Sequence, residues 1–165
     1  MDAASPNPPL EVDLQVAIDD GDLPEGTEWS HWAGAALDMA AANDGTAGRL
    51  TVRIVDNNES RQLNKSYRNT DAATNVLAFS GPEWNAALAD DERELGDLVI
   101  CLPIVNHEAQ QQGKQPLAHM AHLVVHGTLH LIGFDHQDDE MAGQMEQLET
   151  RIMRRLGFPD PYSEQ

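Results

Sequence analysis

Hydrophobic and polar residues alternate along two early segments of the chain, EVDLQVAI at 11–18 and RLTVRIV at 49–55. Because successive side chains of a strand point to opposite faces, each segment is predicted to be a strand with one buried face. The inward positions are Val12, Leu14, Val16, Ile18, Leu50, Val52 and Ile54. NVLAF at 75–79 predicts a third strand, and the nearly continuous apolar run LGDLVICL at 95–102 predicts an interior fourth strand.

Apolar residues follow a helical spacing in the segments between and after these strands. The three most regular predicted helices span about 28–42, 103–112 and 116–132. Either Asn57 or Asn58 is expected to cap a short helix that runs to about Tyr67. Either Asp138 or Asp139 is expected to cap the last helix of the chain.

Strands thus come early in the chain and helices late. The predicted fold class is α+β (mixed α/β), with a mixed sheet of about four strands packed against helices. The length of 165 residues fits one domain, predicted at 11–165. Residues 1–10, with three prolines, are predicted to be a disordered leader, and residues 81–94 a surface insertion.

Charge is distributed unevenly along the chain. The formal net charge is −18, from 10 basic and 28 acidic residues, which argues against a protein that binds nucleic acid by electrostatics alone. Residues 49–68 differ, because their five basic side chains outnumber the two acidic ones. The pattern predicts an acidic body with one local basic patch that can receive an anion.

A single cysteine, Cys101, lies inside the apolar run LVICL. No internal disulfide is possible, so a buried thiol in a reducing compartment is expected, with no disulfide-linked partner. The N-terminus lacks the basic and apolar regions of a signal peptide, and no apolar run is long enough to span a bilayer. We therefore expect a cytoplasmic protein that makes no membrane contact.

The segment HGTLHLIGFDH at 126–136 carries the candidate chemistry. His126 and His130 are four residues apart on a predicted helix, so both imidazoles project from one face and can reach one metal ion. Gly133 can take a backbone conformation that ends the helix and brings His136 back as a third ligand. Three imidazoles leave a fourth position for water, as in catalytic zinc sites. One Zn²⁺ ion is therefore predicted, although three imidazoles also accept nickel, cobalt or copper.

Neighbouring residues allow further interpretations. His122 and His126 are also four apart, but no turn after them returns a third ligand, so His122 is interpreted as a hydrogen-bonding neighbour of the site. His119 is expected to be peripheral. Asp135 either orients a ligand imidazole or is simply a turn residue.

The same spacing occurs in zinc proteases with the motif HExxHxxGxxH, whose glutamate is the general base. Here Gly127 occupies the position of that glutamate. A metallopeptidase is therefore a poor alternative.

HGTLHLIGFDH, the upstream LNKSYRNTDAATNVLAF and LGDLVICL together resemble the bacterial YbeY family of endoribonucleases and rRNA maturation factors. The resemblance extends from the first strand to the C-terminal GFPDPY. The chain departs from the family where the third strand ends in LAFS rather than an LSFP-like sequence, with Ala78 and Ser80. This departure affects the local loop and removes no metal ligand.

The resemblance implies a zinc-dependent endoribonuclease that matures small-subunit (16S) rRNA, notably at its 3′ end, and acts in ribosome quality control. It assigns the zinc ligands to His126, His130 and His136, and a functional arginine to Arg68. On its own chemistry Arg68, predicted in a polar loop, can bind a phosphate bidentately and stabilise negative charge, or form a surface ion pair with Asp71. The general base is left open between Asp135, His122 and a substrate 2′-hydroxyl.

The competing class is a non-catalytic assembly factor whose zinc supports a binding surface on the small ribosomal subunit. The acidic charge suits contact with basic ribosomal proteins better than unaided contact with RNA.

Overall fold

A computed structural model describes residues 10–19, 23–24, 26–41, 48–81, 94–134 and 138–162. The described residues form four strands and five helices. The strands are β1 (Leu10–Val16), β2 (Gly48–Val55), β3 (Val76–Ser80) and β4 (Glu94–Cys101). The helices are α1 (Gly26–Ala41), α2 (Asn57–Arg68), α3 (Leu102–Gln112), α4 (Pro116–Leu131) and α5 (Asp139–Arg155).

The four strands form one mixed sheet in the order β1-β2-β4-β3. β1, β2 and β4 are parallel, whereas β3 runs antiparallel to β4 at the edge. The predicted α+β class and the mixed four-stranded sheet are confirmed. Gly96 of β4 has a positive φ of 143°, and a Cβ there would lie 2.1 Å from the Phe79 carbonyl oxygen. Glycine is therefore required at this position of β4, because the edge strand β3 lies too close for a side chain.

α1 and α4 pack on the sheet, α5 packs against both of these helices, and the main core lies between these elements. The inward positions Leu50, Val52 and Ile54 of β2 are fully buried, as the alternation predicts. Trp29 and Trp32 of α1 fill the space between the helices. α4 contacts α1, α3, α5 and two strands, so most of its surface is buried and its orientation is fixed from several sides.

Two boundaries at the sheet differ from the sequence prediction. β1 begins at Leu10, one residue inside the predicted leader, while residues 1–9 lie outside the described part of the chain. Val16 is 47% exposed rather than inward, because it is the last residue of an edge strand. Residues 82–93, which hold most of the predicted insertion, also lie outside the described residues.

The start and end of α2 also differ from the prediction. Asp56 caps the helix by accepting the Glu59 N–H at 2.9 Å, so neither Asn57 nor Asn58 is the cap. Arg68 is the last residue of the helix and does not lie in the following loop. For the last helix, Asp138 is the cap, and it accepts the Met141 N–H at 2.8 Å.

Candidate metal centre and cleft

A row of histidines on α4 lines one side of an open cleft of about 1250 Å³. His119, His122, His126 and His130 occupy it at spacings of three and four residues, so a helix presents them on one face. The rest of the lining comes from β3, α3, the end of α2 and the C-terminal segment. Gly133 has a φ of 106°, and it ends α4 as the sequence predicts.

The rings of His126 and His130 converge within this row. Their Nε2 atoms lie 3.1 Å apart, and their ring centroids are 4.6 Å apart. Two imidazoles that bind one zinc ion at tetrahedral angles would bring their nitrogens to roughly 3.3 Å of each other. The observed separation therefore fits a pair that shares one cation.

A buried carboxylate, Glu149 of α5, lies directly behind the histidine row. It is 0% exposed, and its Oε1 accepts from His122 Nε2 at 2.5 Å and from the Tyr162 hydroxyl at 2.9 Å. The same oxygen lies 3.1 Å from His126 Nδ1. Because an ionised carboxylate only accepts hydrogen bonds, His126 carries its proton on Nδ1, and the Nε2 lone pair faces the cleft.

These hydrogen bonds determine the charge of Glu149. Burial alone would raise the pKa of this carboxyl, but the hydrogen bonds from His122 and His126 outweigh burial and lower the pKa to about 2. Burial and the adjacent Glu149 charge raise the pKa of Tyr162, so its hydroxyl remains a donor. The site therefore contains a fixed negative charge at neutral pH, which favours a bound cation.

Sequence reasoning missed Glu149, although α5 contains a signal that could have revealed it. The buried face of this helix includes Met145, Leu148 and Ile152, and Glu149 lies within the same stripe. An acidic residue on an apolar stripe is costly unless it has partners, so its position indicates a buried polar contact.

A second set of possible metal ligands overlaps the first. His122, His126 and Glu149 each offer a ligand atom, and these atoms lie within 4.8 Å of one another. The lack of a returning turn after His126 does not exclude this set, because α5 supplies the third group. The described residues thus contain a His–His–Glu group that could hold a metal ion, and it shares His126 with the predicted histidine trio.

The two remaining predicted residues of the motif, Asp135 and His136, lie outside the described residues. His119, expected to be peripheral to the metal site, is buried at 5% exposure. Its Nε2 lies 2.9 Å from Glu108 Oε1, within the same cleft. Burial lowers the pKa of His119, and the Glu108 bond offsets only part of this effect.

Arg68 lines the same cleft. Its guanidinium carbon is 4.9 Å from the Phe79 ring centroid, and Nη2 donates to the Ala78 carbonyl at 2.6 Å. The alternative interpretation as an ion pair with Asp71 is wrong, because Asp71 pairs with Arg61 at 2.6 Å. Two contacts therefore hold the charge of Arg68 beside the cleft.

Gly127, which follows His126 in the sequence, faces the sheet. A Cβ at this position would lie 2.6 Å from Leu98 Cδ2, and Leu98 is fully buried. A glutamate would therefore clash with the core before it could reach a bound water. This contact gives a packing reason for the absence of a peptidase-type base.

Comparisons with known proteins support the resemblance noted from the motifs. A family model described as Endoribonuclease YbeY matches residues 16–157. A protein from Pseudomonas savastanoi pv. phaseolicola named Endoribonuclease YbeY is 46% identical over 155 residues, covering 94% of this chain and 89% of the relative. A protein of the same name from Nitrosococcus oceani is 45% identical over 153 residues, covering 93% and 97%.

One solved structure supports the fold alone. The solution structure of TM1509 from Thermotoga maritima aligns with a TM-score of 0.54 at 21% sequence identity. The alignment covers 93% of this chain and 99% of that protein.

Proposed function

The chain belongs to the YbeY family, and from this membership and the geometry of the cleft we propose that it is a metal-dependent endoribonuclease acting on ribosomal RNA. The single observation that carries the proposal is the 3.1 Å approach of His126 Nε2 to His130 Nε2, with Glu149 bound to the far side of the His126 ring. A carboxylate behind a convergent imidazole is the usual arrangement around a metal-binding histidine.

We propose His126, His130 and His136 as the ligands of one Zn²⁺ ion. A zinc ion bound there would polarise a phosphate oxygen and lower the pKa of a bound water. The set His122, His126 and Glu149 is the alternative ligand arrangement. We favour the histidine trio because His122 Nε2 and His126 Nδ1 both bond to Glu149 Oε1, so neither nitrogen is directed at a cation in the cleft and the carboxylate is suited to an orienting role.

Arg68 is proposed to stabilise the negative charge that develops on the phosphate. The stacking on Phe79 and the bond to the Ala78 carbonyl use one face and one donor of the guanidinium. Its remaining N–H groups can meet phosphate oxygens in the cleft. Such a preorganised positive charge is effective because it needs no rearrangement as the reaction proceeds.

His122 is proposed to orient the site rather than to bind the cation. Its Nε2 is bound to Glu149, so its ring helps to hold the carboxylate against His126. The proton acceptor is then proposed to be Asp135, which would take the proton either of a bound water or of a substrate 2′-hydroxyl that acts as the nucleophile. A 2′-hydroxyl would restrict the activity to RNA.

The proposed role is maturation of 16S rRNA, notably at its 3′ end, and ribosome quality control in the cytoplasm. The net charge of −18 would repel free RNA, whereas the basic proteins of the small subunit would attract this acidic enzyme. We therefore propose that the enzyme acts on rRNA in contact with the small ribosomal subunit. No described helix is long and apolar enough to cross a membrane.

The experiment that tests the proposal measures metal content and cleavage on the same samples. Purified full-length protein is analysed for bound metals and incubated with a structured small-subunit rRNA precursor, before and after chelation and after Zn²⁺ is restored. We expect His126→Ala and His130→Ala to lose both metal and cleavage, because each removes a ligand. His31→Ala is the matched control, since His31 is exposed on α1 and away from the cleft.

Arg68 is tested separately. Arg68→Ala should retain the metal and lose cleavage, whereas Arg61→Ala, on the same helix, should retain both. If Arg68→Ala and His126→Ala cleave as well as the parent protein, the nuclease proposal is wrong. If chelation abolishes ribosome association and no sample cleaves RNA, the protein is instead a metal-supported assembly factor.

A further inference from the structure

A second polar cluster lies in the same cleft and takes no part in the proposed hydrolysis. Glu108 of α3 accepts from His119 Nε2 at 2.9 Å and from Asn75 Nδ2 at 3.1 Å. Asn75 is held in turn, because its Oδ1 accepts the Val76 N–H at 2.7 Å. The carboxylate is thus fixed by two oriented donors, and its side chain remains 30% exposed.

This cluster is too far from the metal centre to move a proton there. His119 and His126 are seven residues apart on α4, which corresponds to roughly 10 Å along the helix axis. A general base must be within hydrogen-bonding distance of the proton that it removes. Glu108 therefore cannot activate a water held at His126, and it can contact a part of the substrate on one side of the cleaved phosphate.

The chemistry of the cluster restricts what it can bind. An ionised carboxylate accepts hydrogen bonds and repels phosphate, so it must face an uncharged donor of the RNA. Single-stranded RNA presents such donors on the edges of its bases, and an exocyclic amine is a common partner of glutamate. A carbonyl oxygen at the same position would be repelled.

We propose that Glu108, oriented by His119 and Asn75, reads the exocyclic amine of a nucleobase next to the scissile phosphate and discriminates against uracil. This inference rests on the proposed function for the identity of the substrate. The bases differ usefully here, because cytosine carries an amine where uracil carries a carbonyl. Cytosine should therefore be accepted and uracil rejected at this subsite.

The test uses cytidine and uridine, which lack phosphate. They differ at the 4-substituent and at N3, which is an acceptor in cytosine and an N–H between two carbonyl groups in uracil. Binding to the full-length protein is followed by NMR through the side-chain amide signals of Asn75. We expect cytidine to bind roughly tenfold more tightly than uridine, as is typical for a hydrogen bond to a charged group. Glu108→Gln should abolish the difference, because an amide can also donate to the uracil carbonyl. Glu140→Gln is the matched control: it also removes one negative charge, but at an exposed position, and should preserve the preference for cytidine over uridine.

Three results would overturn the inference. The first is equal binding of cytidine and uridine to the parent protein, a comparison that needs no variant to fold. The second is a preference that survives Glu108→Gln in a protein of unchanged melting temperature. The third is a larger loss on replacing cytidine by 2′-deoxycytidine than by uridine, which would assign the contact to the ribose. A cytidine preference in a protein that never cleaves RNA would refute the proposed function and leave the subsite standing.

Discussion

Replacing the buried carboxylate with its neutral isostere, Glu149→Gln, tests how the site holds its cation. The amide oxygen can still accept from His122, His126 and Tyr162, so the shape of the cluster is retained. The bonds lose their charge assistance, and neutral hydrogen bonds are roughly half as strong. The preference of His126 for a proton on Nδ1 should weaken accordingly.

The expected magnitude follows from the behaviour of such orienting groups. Loss of a carboxylate behind a metal-binding histidine typically lowers metal affinity by about tenfold to a hundredfold. This corresponds to about 1.4 to 2.8 kcal/mol of binding free energy. The measurement is a Zn²⁺ competition titration against a chromophoric chelator, with Glu146→Gln as the control because Glu146 is exposed on the same helix.

A second readout separates orientation from simple stability. Proton-detected ¹⁵N spectra of histidine-labelled protein report which ring nitrogen of His126 carries the proton. We expect Nδ1 in the parent and a mixture of tautomers in Glu149→Gln. Unchanged affinity with an unchanged tautomer would refute the orienting role. Complete loss of metal from Glu149→Gln, with metal retained by His130→Ala, would instead identify His122, His126 and Glu149 as the ligands.

Gly127, His119 and the proposed metal site each give one further prediction. Gly127→Ala should lower the free energy of unfolding by about 1 to 3 kcal/mol in urea titrations, because its Cβ would overlap the buried Leu98 side chain; a neutral effect would contradict the packing explanation. Burial lowers the pKa of His119, so below about pH 6.5 the unfolded chain binds more protons than the folded protein, and the free energy of unfolding should fall as the pH decreases. In urea titrations at pH 5 and 7.5, His119→Gln should show a smaller difference in the free energy of unfolding than the parent. Removing metal with a chelator should lower the melting temperature of the parent and leave that of His126→Ala unchanged, as calorimetry can determine.

Local patterns predicted most of the fold because each pattern reflects the geometry of a single strand or helix, which decides which side chains share a face. The alternation at Leu50, Val52 and Ile54 marks the face that is buried in the sheet. The proline and glycine at the ends of α4 fixed its length to within one residue. Errors occurred at boundaries such as Arg68 and Asp56, where a single side-chain bond or the position of one helical turn decides the end of the element.

Spacing placed His126 and His130 on one face of the helix, but it did the same for His122 and His126, so it could not choose between the two pairs without the turn at Gly133. Glu149, Glu108 and Asn75 could not be selected in this way. They lie 23, 11 and 33 residues from their partners in the chain, and no local period relates them. The ligand role of His136 stays a prediction.

The amino-acid pattern is sufficient to predict the class of fold, the helix that carries the histidines and the face of that helix on which they lie, because these depend on short-range geometry. The carboxylate behind His126, the proton position of that imidazole and the contacts of Arg68 in the cleft follow only from the packing of distant elements. Those features depend on how α2, α5 and β3 pack around α4, and packing joins residues by shape and burial rather than by their distance along the chain.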